Sequence, residues 1–124
     1  MSEERAPPGR HLAAFALLLL MESPDHGRHL HQRMNAILPK PLQVDTGNLY
    51  RALRELESRG MVRSLWDTKD CGPAKRIYAV TPAAKTEIKL WRADIASRRE
   101  AFDWFLKHSE PFVEEGAEDQ SMIF

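Results

Sequence analysis

Apolar residues along this chain fall into four periodic blocks separated by proline, glycine and polar turns. The first block, His11 to Met21, is apolar on nearly all sides of a helix and ends at Glu22-Ser23-Pro24. A helix this greasy must be buried, and in a small protein part of it (Leu12, Phe15 and Leu19) can also face another subunit. A second helix follows over His26 to Leu38, with Asp25 as its cap. Leu30, Met34 and either Ile37 or Leu38 share one face, and Pro39 and Pro41 stop it. The third block starts at Asp45-Thr46, either of which can cap it, and runs to Arg59. Leu49, Leu53 and Leu56, with Ala52 beside them, form its buried stripe. Asn48, Arg51, Arg54, Glu55 and Ser58 form its outer face. Gly60 supplies the left-handed residue that ends such a helix.

The period then changes from helical to extended. Met61 to Trp66 and Arg76 to Val80 read as two short strands joined by the turn-rich stretch Asp67 to Lys75, a β-hairpin with a basic distal side. Thr81-Pro82 restarts a helix, with threonine as its cap, that extends to about Lys107. Along it Ile88, Trp91, Ile95, Phe102 and Phe105 lie at spacings of 3, 4, 7 and 3, close to a heptad seam. Little chain remains to cover that seam, so a second copy of the protein is the expected cover. The expected architecture is mainly α: a winged helix-turn-helix of three helices plus a two-stranded wing, then a long C-terminal dimerisation helix. The expected boundaries are a flexible arm over residues 1–9, the DNA-binding domain over 10–80, the dimerisation helix over 81–107 and an acidic, disordered tail over 108–124.

Charge refines this picture. The chain has 18 basic and 18 acidic residues and no net charge, which at first disfavours nucleic acid. The balance is uneven: residues 26–63 carry seven basic and three acidic side chains, whereas the tail from His108 has five acids and no Lys or Arg. A locally basic middle is what phosphate binding needs, since fields reach only about 8–10 Å in salt. Composition, 43% hydrophobic and 29% charged, suggests neither disorder nor a membrane protein. With one cysteine, no signal-peptide pattern and no apolar run long enough to span a bilayer, a cytoplasmic location is expected.

A helix-turn-helix places the start of its second helix in the major groove. Here that start is Thr46-Gly47-Asn48-Leu49-Tyr50-Arg51. Thr46 and the amides at the helix start can hold a phosphate, and Gly47 lets the backbone approach closely. Asn48 can pair with adenine, and Arg51 can take a guanine edge or a phosphate. Tyr50 either bonds a phosphate, rests on a sugar or packs internally. Arg54 is placed for the DNA backbone, and Lys75 and Arg76 on the wing for the minor groove or phosphates. His26, His29 and His31 do not share one face with a carboxylate or thiol at ligand spacing, so no metal or other cofactor is expected. Cys71, at the hairpin tip with Lys69 and Lys75 near it, is either a tolerated loop residue or a redox sensor. No glycine-rich phosphate loop, nucleophile elbow or H-E-x-x-H motif is present, so an enzyme is not expected.

Several stretches together resemble the PadR transcriptional regulators: His26-Gly27, Gly47-Asn48-Leu49-Tyr50-Arg51-Ala52-Leu53, Leu56-Glu57, Gly60-Met61-Val62, Gly72-Pro73-Ala74-Lys75-Arg76, Tyr78, Val80 and Thr81-Pro82. The resemblance spans roughly residues 17–106. It implies a homodimeric regulator of a palindromic double-stranded operator, usually a repressor released by a small effector. The short tail is similar to the subgroup with one C-terminal helix. Ser64-Leu65-Trp66-Asp67-Thr68 and Trp91 are similar to members described as polyhydroxybutyrate-responsive repressors. Some small members hold flat aromatic ligands between tryptophan-bearing helices, which makes Trp91 and Ile95 the candidate effector contacts. Asn48 departs from the threonine or serine usual there, and Ala84 from a glycine, which should only stiffen the helix start. The alternative from another class is a winged helix used as a protein-interaction or granule-associated module.

Overall fold

The computed structural model describes residues 11–67, 72 and 74–114. Cys71 and Lys69 lie outside these residues, as do the arm over 1–9 and the tail beyond Glu114. Four helices and three short strands follow in the order α1 (Leu12–Glu22), β1 (Asp25–His26), α2 (Gly27–Ile37), α3 (Thr46–Ser58), β2 (Val62–Asp67), β3 (Lys75–Val80) and α4 (Ala83–Glu114). A 3₁₀ turn, Lys40–Leu42, opens on the proline pair between α2 and α3.

The chain forms two compact units, residues 1–89 and 90–124, with the division inside α4. In the first unit α1 packs against α2, α3 and β3. Its apolar surface explains the core: Leu17 and Leu20 are fully buried beside Leu30 and Met34 of α2 and Leu49, Leu53 and Leu56 of α3. Each such leucine contributes about 1.5–3 kcal/mol of burial. Of the two alternatives on α2, Leu38 packs on this core, while Ile37 is exposed. Ala84 is wholly buried in the same core, so a methyl group fills space at this position as well as favouring the helix.

The link between α2 and α3 is tied by hydrogen bonds from α2. The Val44 carbonyl accepts from Asn35 Nδ2 at 3.0 Å and lies 2.8 Å from His31 Nε2, while the Val44 amide donates to Asn35 Oδ1 at 3.0 Å. Gln43 returns a bond to the Asn35 carbonyl at 2.9 Å. At the far end of α3, Gly60 has φ of 79°, as the sequence suggests, and the Thr81 hydroxyl donates to its carbonyl at 2.6 Å. That hydroxyl therefore does not cap α4, as the sequence suggests it should; α4 begins at Ala83, after carbonyl-to-amide turns from Thr81 to Ala84 and from Pro82 to Lys85.

Three further details correct the sequence reading. The sheet has three strands in the order β1-β3-β2, because Asp25 pairs with Tyr78 and His26 with Ile77. Asp25 does not cap α2: it lies in β1, and its carboxylate takes the His26 amide at 2.8 Å and Arg33 at 2.9 Å, with His29 at 2.7 Å. The long helix continues through Pro111 to Glu114, so residues 108–114 are helical and not part of a disordered tail. Proline there leaves the Lys107 carbonyl without its helical donor, and the helix ends three residues later.

Candidate nucleic-acid interface

The start of α3 is built by its cap. Asp45 Oδ1 accepts from the Asn48 amide at 2.7 Å, and its carboxylate occupies the positive end of the helix. The Asn48 amide is thus already satisfied by the chain's own cap. Thr46 and Gly47 are exposed just beyond this cap. Gly47 has no positive φ, and a Cβ there would meet only Asp45 Oδ1, at 3.7 Å. Its own fold does not require glycine, although glycine inside a helix costs about 0.5–1 kcal/mol relative to alanine.

The outward face follows from the buried stripe. With Leu49, Leu53 and Leu56 turned inward, Arg51 and Arg54 are exposed and Asn48 is half-buried. Arg51 Nη1 donates to Asn48 Oδ1 at 2.5 Å, so the two candidate base readers hold each other. Either side chain must leave that bond, or share it, to meet a base edge bidentately.

Tyr50 is half-buried and packs over Gly27, where a Cβ would stand 2.5 Å from the phenol oxygen. Of the readings open for Tyr50, internal packing holds for its ring, which also lines a cleft shared with Lys75 and Arg76 of the wing. On the wing Lys75 and Arg76 are exposed, and Arg76 lies over the Trp66 ring at 5.1 Å. Beneath them Tyr78 is buried. Burial pushes its phenol above the ordinary value and Tyr50 and Glu57 push the same way, with Arg76 and Arg54 opposing. Tyr78 therefore stays protonated beside these cations.

β1 brings the start of α2 alongside β3, so Arg28 and His29 share a cleft with Tyr50, Lys75 and Arg76. The sequence reading missed these two residues. A two-residue strand leaves no periodicity, and only its register with β3 places them here. The three histidines have separate partners: His26 Nε2 lies 3.0 Å from Asp67, His29 meets Asp25 and His31 meets Val44. Among the described residues no group of three side chains could hold a metal ion.

The expected dimer residues divide. Leu12 and Leu19 are 6% and 7% exposed in the first unit's own core, and half-buried Phe15 and Ile88 pack against it. In the second unit Trp91 and Ile95 are half-buried, whereas Phe102 and Phe105 are exposed.

The family model of the transcriptional regulator PadR-like family matches residues 16–90. The chain belongs to the PadR-like family. No protein of curated function matches it. Among solved structures, it is similar to a conserved protein of unknown function described as a potential transcriptional factor (28% identity, 89% of this chain and 96% of that one, TM-score 0.74). It is also similar to a PadR family transcription regulator from Clostridium difficile (15% identity, 77% and 98%, TM-score 0.67) and to one from Eggerthella lenta (22% identity, 77% and 81%, TM-score 0.65). These likenesses agree with the winged-helix architecture and its long C-terminal helix. The PadR-like chain is thus a DNA-binding transcriptional regulator, of a family whose members are regulators and not enzymes. Among the described residues no helix is long and apolar enough to cross a membrane.

Proposed function

We propose that this PadR-like regulator acts as a homodimer that reads a palindromic operator, represses transcription and is released by a small effector. The observation that carries this reading is the exposed face of α3, where Asn48, Arg51 and Arg54 stand opposite a fully buried leucine stripe. Asn48 and Arg51 are the base readers. Arg54, Lys75, Arg76 and the Tyr50 hydroxyl contact backbone, and Thr46 and Gly47 form the close approach at the groove floor. The exposed aromatics of α4 support pairing of two copies, since Phe102, Phe105, Ser109 and Phe112 continue the seam at spacings of 3, 4 and 3. Half-buried Trp91 and Ile95, one turn apart, are the candidate contacts of a flat aromatic or other small metabolite.

Titration of the full chain with duplex DNA at several salt concentrations tests this. The expected log–log slope is about −0.9 for each phosphate neutralised. Binding without salt dependence would transfer the chain to the class of winged helices that bind proteins.

A further inference from the structure

The cleft between the start of α2, Tyr50 and β3 encloses about 470 Å³ and is open to one side. Arg28, His29, Lys75 and Arg76 line it, together with Tyr50 and Tyr78; none of the described residues that line it is a carboxylate, and Asp25 meets His29 at 2.7 Å. Its cations differ from the other arginines of this unit. Arg33 is committed to Asp25 at 2.9 Å and Arg59 to Glu87 at 2.8 Å. Arg28 and Lys75 form no ion pair among the described residues, and Arg76 is steadied by the Trp66 ring instead of by an acid. Arg28 from α2 and Lys75 from β3 thus stand at one cleft with no ion pair among the described residues, and like charges brought together cost free energy. That cost is offset when an anion enters.

We propose that this cleft seats one backbone phosphodiester of the duplex, with Arg28 and His29 of α2 facing Lys75 and Arg76 of the wing across it. The inference rests on the reading of α3 as the helix that enters the groove. It adds a strand-backbone clamp beside that helix. A phosphodiester fits better than a small free anion, because the cleft is open along one side and far larger than a single phosphate, so a polymer can enter and leave it. Its anionic oxygens would meet the guanidinium and ammonium groups, and the Tyr50 hydroxyl would donate to one of them. The ring of Tyr50 is set by its contact with Gly27, so the glycine acts as a positioning residue for that hydroxyl. His29 Nδ1 faces Asp25, which fixes the ring so that its opposite nitrogen is turned away from that carboxylate.

The test compares the full-length protein with Arg28→Ala/Lys75→Ala, and separately with Arg54→Ala, on an operator duplex and on an unrelated duplex across a salt series. Both altered side chains of the double variant are exposed, and an unchanged melting temperature checks that its fold is intact. The expected result is a salt slope shallower by about 0.9 for each protomer on the DNA. The loss should be of similar fold on both duplexes, with base preference unchanged. Replacing single phosphates by neutral methylphosphonates should reveal one position per half-site that weakens the wild type but not the double variant. An unchanged slope and methylphosphonate pattern in the double variant, with a reduced slope for Arg54→Ala, would overturn the clamp and leave the α3 reading standing. Millimolar inorganic phosphate that stabilises the wild type but not the double variant, with DNA slopes equal, would also overturn it, making the cleft a small-anion site. No salt slope in the wild type would instead defeat the reading of α3.

Discussion

Two amphipathic helices of this chain leave opposite things exposed. In α3 the apolar stripe is covered, with Leu49 and Leu53 at 0% exposure and Leu56 at 1%, and what faces outward is polar and basic. Along the second half of α4 the reverse holds: Phe102, Phe105 and Phe112 are 61%, 63% and 77% exposed. A covered stripe with a charged outer face needs no protein partner and is free to meet a polyanion. An aromatic face left open in water demands apolar cover. In the proposed function the two helices divide the work, α3 for the nucleic acid and α4 for the second copy.

The sharpest way to break this contrast is to place charge on the open face. Phe102→Asp/Phe105→Asp should convert dimers to monomers in sedimentation, and operator affinity should fall more than tenfold because the two half-sites are no longer linked. A variant that stays dimeric would move the interface elsewhere, Leu18 of α1 being the next exposed candidate. On the covered stripe, Leu53→Ala should cost about 2–5 kcal/mol of stability through the cavity it leaves, read as a lowered melting temperature. Such a loss without any change in oligomeric state would confirm that α3 belongs to the protomer core.

On the outer face of α3 the effects are smaller and fall on binding. Arg51→Ala should weaken operator binding by about 1–3 kcal/mol if it reads a base. A double-mutant cycle with Asn48→Ala should be non-additive, because Arg51 and Asn48 are hydrogen-bonded to each other. Gly47→Ala should stabilise the helix by about 0.5–1 kcal/mol while weakening DNA binding, a split that a purely structural glycine would not show.

Acid should probe the α1–α2 junction. Burial raises the Asp25 carboxyl, but hydrogen bonds from Arg33, the His26 amide and His29 outweigh it and hold it below the ordinary carboxylate range. A depressed folded value means that its stabilisation is present above the unfolded carboxylate value and fades as pH falls through the folded one. Denaturation between pH 6 and pH 2 should therefore show part of its slope removed in Asp25→Asn, which should also be less stable near neutrality. Equal slopes for the two proteins would show that Asp25 contributes nothing to acid unfolding.

Helical periodicity made the order of elements legible, and the α3 face with it, because Leu49, Leu53 and Leu56 mark one side of a helix whatever surrounds them. The turn at Gly60 was legible for the same local reason, and the cap as one of two neighbours, Asp45 or Thr46, of which the structure uses Asp45. What stayed hidden depends on distant pairing. β1 is two residues long, and only its register with β3 draws Asp25 away from capping α2 and places Arg28 and His29 beside the wing. The commitment of Leu12 and Leu19 to the protomer core was hidden too. A helix apolar on all sides does not reveal which side its own chain will cover. The Asn48–Arg51 bond lay within reach of the sequence, since residues three apart on a helix are neighbours.

The central claim is that α3 reads sequence in a paired molecule. Selection from a random duplex pool by the full-length chain tests it most directly. The expected outcome is an inverted repeat whose half-sites lie about 34–36 Å apart, one turn of DNA, or a multiple of that spacing. Base preference should relax at one position of each half-site in Arg51→Ala. A pool that emerges without enrichment, or an enriched site that Arg51→Ala selects unchanged, would contradict it.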